Sequence, residues 1–260
     1  MRIDLVLTGG NINSHYTPLF KLIHKIWKSR FNLDCYLILI SKYIPDYLLE
    51  LKEYIILWDP IEGINDIYMA QVIRILYPCL FKNKNILITD LDIFPVSKNY
   101  FLDSIKDYSN DCFISYTDRY FNNKMLAICY NVANSTVWSK IFNIKNKTDI
   151  NNFLINKYNK DYDGRKNCPG WYTDQTELYK HIKNWNECED KFILLNDKKL
   201  NFKRLNNRQV NKEKIVKDFD NILNNLNYYT DIHAIKPYSK VGWYLKKITE
   251  KLVIQKNTKK

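Results

Sequence analysis

Apolar runs of strand length alternate along the chain with segments whose apolar residues recur every three or four positions, a pattern that predicts an α/β domain. Residues 3–8, Ile-Asp-Leu-Val-Leu-Thr, read as a first strand, and Gly9-Gly10 end it in a loop able to approach a ligand closely. Thr17 is then expected to cap a helix with Pro18 at its first position, because Leu19, Leu22, Ile23, Ile26 and Trp27 fall on one face. Further strands are expected at 34–40 and 54–58, with a short helix at 45–53 between them, and a helix at 66–77. The apolar run Ile86-Leu87-Ile88, closed by Pro95, predicts a buried strand over 85–95. Strands at 111–116 and 124–132 and a helix at 135–143 follow, whereas 143–165, rich in Asn and Lys, reads as a surface excursion. Thr173 is expected to cap a helix running to Trp185. Val241, Leu245, Ile248 and Leu252 stand at i, i+4, i+7 and i+11, so a terminal helix should pack its apolar side on the domain.

The chemistry concentrates at a few places in this pattern. Asp90 and Asp92 sit at the carboxyl end of the 85–95 strand, where alternation would turn both to one side. Two adjacent carboxylates repel unless a positive group lies between them, so a divalent ion, Mn2+ or Mg2+, is one reading. A pair of strand-end acids facing water is the other. Arg74 shares the inward face of Ala70, Ile73 and Tyr77 and therefore needs an anionic partner, either a core Asp or a donor phosphate. Asn131 falls where a strand ends. After the Pro169-Gly170 turn, Asp174 and Gln175 fall in the first turn of a helix. His233 offers an imidazole to a metal and Lys236 a point charge to a phosphate.

Composition narrows this only partly. The 260 residues, 46% of them hydrophobic, suffice for one large domain with a substantial core. Lys and Arg number 40 against 28 Asp and Glu, giving +12, which suits nucleotides, nucleic acid or acidic lipid. The six cysteines are scattered without C-x-x-C or zinc spacing, and several lie inside apolar runs, where a free thiol behaves as a small buried hydrophobe. With no signal-peptide pattern at the start and no apolar stretch near 20 residues, the expectation is a cytoplasmic protein. Lysines beside the terminal apolar stripe and a basic tail at 256–260 allow peripheral membrane contact, a reading weaker than packing on the domain.

The ordered series Asp90-Leu-Asp92, Asn131, Asp174-Gln175 and His233-Ala-Ile-Lys-Pro resembles the GT-A-fold, nucleotide-sugar-dependent glycosyltransferases of the glycogenin and bacterial galactosyltransferase type. It also resembles the small sugar transferases of large DNA viruses. The resemblance implies an α/β, Rossmann-like single domain over 1–240, with a mixed, mostly parallel central sheet flanked by helices, followed by a helix and basic tail at 241–260. It implies Mn2+, with Mg2+ as substitute, held by Asp90, Asp92 and His233. A UDP-sugar donor would meet Thr8, Gly9, Arg74, Asp90, Leu91, Asn131 and Lys236. Asp174 and Gln175 would stand at the reacting sugar carbon, and a sugar or glycan would be the acceptor. The first loop, Thr8-Gly-Gly-Asn, departs from the family's Asn/Asp-x-x-Tyr, and Ala234-Ile235 replaces the Gly after the family's His. Two other classes compete. A haloacid-dehalogenase-like phosphatase also uses Asp-x-Asp after a strand, but near its start and with Thr or Val where Phe94 stands here. A basic nucleic-acid-binding protein would explain +12 and the 20 tyrosines, yet not the acid pair with His233, so no nucleic-acid partner is expected.

Overall fold

The computed structural model describes residues 1–206, 219–234 and 238–254. A seven-stranded sheet runs in the order β3-β2-β1-β4-β7-β6-β8. Its strands are β1 (Leu5–Asn11), β2 (Asp34–Ile40), β3 (Ile55–Trp58), β4 (Asn85–Thr89), β6 (Phe113–Ser115), β7 (Tyr130–Asn134) and β8 (Phe192–Leu194). Only β7 runs against the rest, pairing antiparallel with both β4 and β6. A second sheet of three short strands orders β5 (Ile93–Pro95), β10 (Asp231–His233) and β9 (Arg204–Asn206) as β5-β10-β9. The helices are α1 (Leu19–Ile26), α2 (Asp66–Leu76), α3 (Lys98–Phe101), α4 (Ser135–Phe142), α5 (Lys147–Lys157), α6 (Thr173–Lys183), α7 (Cys188–Lys191), α8 (Phe219–Asn224) and α9 (Tyr238–Ile254).

The central strands are apolar on both faces because both faces are covered. Val6, Leu37, Leu87 and Val132 turn into a core shared with α1, α9 and the small sheet. Leu7, Ile38, Ile88 and Ala133 alternate with them into a core shared with α2, α4, α5 and α6. In α9, Val241, Leu245, Ile248 and Leu252 are all buried against the first core, while Lys246 and Lys247 point outward, so the apolar stripe is spent on the fold. Among the described residues no helix is long and apolar enough to cross a membrane.

The structure departs from the sequence pattern at five places. Gly9 and Gly10 do not end the first strand in a loop: they lie inside β1, paired with Ile38 and Leu39 of β2, and the strand runs on to Asn11. The 85–95 run is two strands: the β4 ladder stops at Thr89, Leu91 and Asp92 form a turn, and β5 joins the other sheet. Residues 143–165 contain α5, begun by a reciprocal capping box between Asn146 and Asp149 and burying only Ile150 and Leu154, too few for an apolar period. Thr17 and Thr173 do not cap helices. Thr17 accepts from the Asn13 backbone at 2.9 Å inside the loop after β1, and Thr173 donates to the Gly170 carbonyl at 2.8 Å. The strand expected at 124–132 begins only at Tyr130 and runs to Asn134, so Asn131 stands at its start and not at its end.

Candidate active site

Arg74, Asp90 and Asp174 meet at the carboxyl end of β4, the edge where open α/β sheets bind ligands, and Asp92 meets His233 where the small sheet joins it. Gly9 determines how α2 seats on β1. A Cβ there would lie 2.3 Å from the Ala70 carbonyl oxygen and 2.8 Å from Cγ of Arg74, so only glycine lets the helix approach this closely. Arg74 is thereby delivered, buried, to the end of β4. Its Nη1 donates to the Asp90 carboxylate and to the Thr89 carbonyl, the latter at 3.2 Å. Its Nη2 donates to Asp174 Oδ2 at 3.3 Å, and its Nε to the Gln71 carbonyl at 3.2 Å. Burial works against the Arg74 charge, but Asp90 and Asp174 outweigh it and raise the guanidinium pKa.

Asp174 stands at the start of α6 and is 4% exposed. Burial pushes its carboxyl up to about 6 against the opposing pull of Arg74, with the Asp90 charge adding to the rise. Its Oδ1 accepts the Gln175 backbone N–H at 2.8 Å. Three buried polar atoms here have no hydrogen-bond partner among the described residues: Gln175 Oε1, Asn131 Oδ1 and Thr8 Oγ1. Asn131 is fixed by its Nδ2, which donates to the Ala127 carbonyl at 2.9 Å, and it pairs with Ile88 across the sheet.

Asp90 and Asp92 do not share a side. Strand alternation ends at Thr89, and the turn sends Asp90 to Arg74 while Asp92 Oδ2 meets Nε2 of His233 at 3.0 Å. Those two residues are 141 positions apart. The small sheet joins them, pairing His233 with Ile93 in β5 and donating the Ala234 N–H to the Asp92 carbonyl at 2.7 Å. Leu91, between the two acids, packs its side chain into the first core beside Gly10. Lys236 lies outside the described residues.

No three His, Cys, Asp or Glu side chains among the described residues form a ready-made metal cage. A hard divalent ion does not need one, since it is commonly held by one or two carboxylates and completes its shell with water and substrate phosphates. Asp92 Oδ2 and His233 Nε2 are hydrogen-bonded at 3.0 Å and are the carboxylate and imidazole that would hold such an ion. Carboxylate oxygen suits Mg2+ and Mn2+, and the imidazole favours the transition metal. Asp90 and Asp174 both bear on one guanidinium, and the Asp92 charge also acts on it, so negative charge is in excess. These residues fit such an ion.

One part of the neighbourhood escaped the sequence pattern. Asp231, fully buried, receives Arg204 in a two-pronged contact, Nε to Oδ1 and Nη2 to Oδ2, both at 2.7 Å, together with the Tyr130 hydroxyl at 2.8 Å. Its only sequence signal is an acid two residues before His233.

No family model matches the chain, and no curated protein matches it by sequence. Among solved structures, the glycosyltransferase GlyE of Streptococcus pneumoniae TIGR4 is similar over 100% of this chain at 11% identity, with a TM-score of 0.51. Its apo form gives 14% identity and 0.52. The chain spans 64% of the length of GlyE. The galactosyltransferase LgtC, in complex with donor and acceptor sugar analogs, matches 96% of this chain and 95% of its own at 11% identity and a TM-score of 0.46. At such identities the likeness to GlyE is one of architecture, and with the mixed, mostly parallel sheet flanked by helices it makes the fold GT-A-like.

Proposed function

We propose that this chain is a glycosyltransferase that uses a divalent cation, Mn2+ first, to move a sugar from a UDP-sugar to a hydroxyl of a sugar or glycan. The observation that carries the reading is the surplus of carboxylate at the carboxyl edge: Asp90 and Asp174 on Arg74, with Asp92 held against His233. A nucleoside diphosphate brought with a divalent ion fits such a site, because the ion offsets both sets of negative charge.

In this reading Asp92 and His233 hold the ion, with Asp90 beside them. The bound ion supplies Lewis-acid stabilisation of the departing diphosphate. Thr8 and Gly9 line the nucleotide pocket, and Lys236 meets the diphosphate. Arg74 fixes Asp90 and Asp174 and adds positive charge where negative charge develops. Gln175 Oε1 and Asn131 Oδ1, both open acceptors, take hydrogen bonds from sugar hydroxyls. The bond from the anomeric carbon to the diphosphate oxygen breaks, and the acceptor oxygen bonds to that carbon. In an inverting reaction Asp174, with its pKa near 6, takes the acceptor proton. In a retaining one it faces the cationic sugar carbon, and the departing diphosphate oxygen takes the acceptor proton.

Calorimetric titration of UDP tests this. Heat is expected with Mn2+, and none with EDTA or with Asp92→Asn plus Mn2+. UDP binding in no condition, or binding indifferent to EDTA, overturns the reading.

A further inference from the structure

We infer that Tyr130, Arg204 and Asp231 form a positioning lock that registers the small sheet, and with it Asp92 and His233, against the end of β4. The inference rests on the ion site proposed above. β5, β10 and β9 are three residues each, too short for backbone pairing alone to fix their place firmly. Side chains supply the fixing. Asp231 opens β10, and His233 follows at i+2 on the same side of the strand. The Asp231 carboxylate is held from two directions. Arg204, its register partner on β9, grips both oxygens in the fork geometry that suits a carboxylate. Tyr130 reaches it from β7 of the main sheet, with its hydroxyl on Oδ2.

Tyr130 is also the register partner of Thr89, the residue before Asp90. One fully buried tyrosine thus joins the strand that delivers Asp90 to the strand that delivers His233. The lock is neutral in sum, and its Tyr130 and Asp231 are fully buried, so its effect on the reaction runs through the placement of the ion-holding pair. Groups behind metal ligands set metal affinity by fixing the ligands' orientation, and the lock would do so through the backbone of β10, two residues from His233.

The test measures UDP binding to the full chain as a function of Mn2+ concentration, with free Mn2+ read by electron paramagnetic resonance. The variants are Tyr130→Phe, which removes one oxygen, and Arg204→Lys, which keeps the charge and loses the fork. In both, the Mn2+ concentration for half-maximal UDP binding is expected to rise about tenfold. UDP affinity at saturating Mn2+ should return to the wild-type value, and the melting temperature of Tyr130→Phe should fall by no more than about 4 °C. An unchanged Mn2+ requirement in both variants overturns the lock. So does a loss of UDP affinity that excess Mn2+ does not restore, since that marks general weakening. If the wild type shows no Mn2+-dependent UDP binding, the ion site itself falls, and the inference with it. Asp92-dependent binding in the wild type with unaltered lock variants removes the lock alone.

Discussion

Two arginines, buried Arg74 and half-buried Arg204, are put to opposite uses. Arg204 meets one carboxylate, Asp231, through both prongs of its guanidinium, and Tyr130 takes up further acceptor capacity, so charge and hydrogen bonds close on themselves. Burial opposes the Arg204 charge, and Asp231 more than compensates, raising its pKa. Arg74 is instead spread over two carboxylates and two backbone carbonyls, one contact at a time, with Asp92 adding to the negative field. The first arrangement joins sheets. The second leaves surplus negative charge at the ligand edge of a chain whose net charge is +12. A closed ion pair builds scaffold, whereas the open one is, in the function proposed above, the place for the cation.

The largest effect expected from this contrast is on Arg204→Met. It strands a fully buried Asp231 and should cost about 3–5 kcal/mol in urea unfolding. Arg204→Met combined with Asp231→Leu should recover most of that loss, because the desolvated charge goes with its partner. A double variant as unstable as the single one would mean that Asp231 serves more than this pair.

Much of the open site is legible in the sequence, and little of the closed one. Arg74 announced itself as a charge on the apolar face of a helix capped by Asn65, and Asp174 as an acid in a first helical turn. β2 matched its apolar run, since a strand buried on both faces is written as continuous hydrophobics. The turn at Leu91-Asp92 was hidden because Ile-Leu-Ile-Thr-Asp-Leu-Asp-Ile-Phe keeps strand-like composition throughout; the break appears only when β5 finds β10. Arg204 and Asp231 sit on three-residue strands too short to show any period, and their pairing spans 27 positions. Contacts made by tertiary register leave no local trace.

An intermediate effect is expected at Asp174, and its sign decides whether this residue belongs with the open or the closed set. Its carboxyl lies at about 6 in the folded chain against an ordinary 3.8. Below pH 4 both states carry the proton. Between about 4 and 6 the unfolded chain releases it and the folded chain retains it, so the contribution of Asp174 to stability falls as pH rises through that window. Asp174→Asn has no such term. From pH 4 to pH 7 its stability relative to wild type should climb by on the order of 2–3 kcal/mol. A relative decline over the same range would mean that the Arg74 pair dominates and that Asp174 is as closed as Asp231.

The smallest effect is expected at Asp92, and it separates the two arrangements most directly. Asp92→Asn keeps an oxygen for His233 while removing one charge from the crowded edge, so without divalent ion stability should be unchanged or rise by about 1 kcal/mol. A loss comparable to that of Arg204→Met would place Asp92 in the scaffold. Adding Mn2+ with UDP should then reverse the order. The wild type gains stability by mass action on its folded state, about 2.7 kcal/mol at one hundred times Kd, and Asp92→Asn gains none. A residue that costs stability when empty and returns it when loaded is held for its ligand, while one that stabilises in every condition, as Arg204 should, is held for the fold.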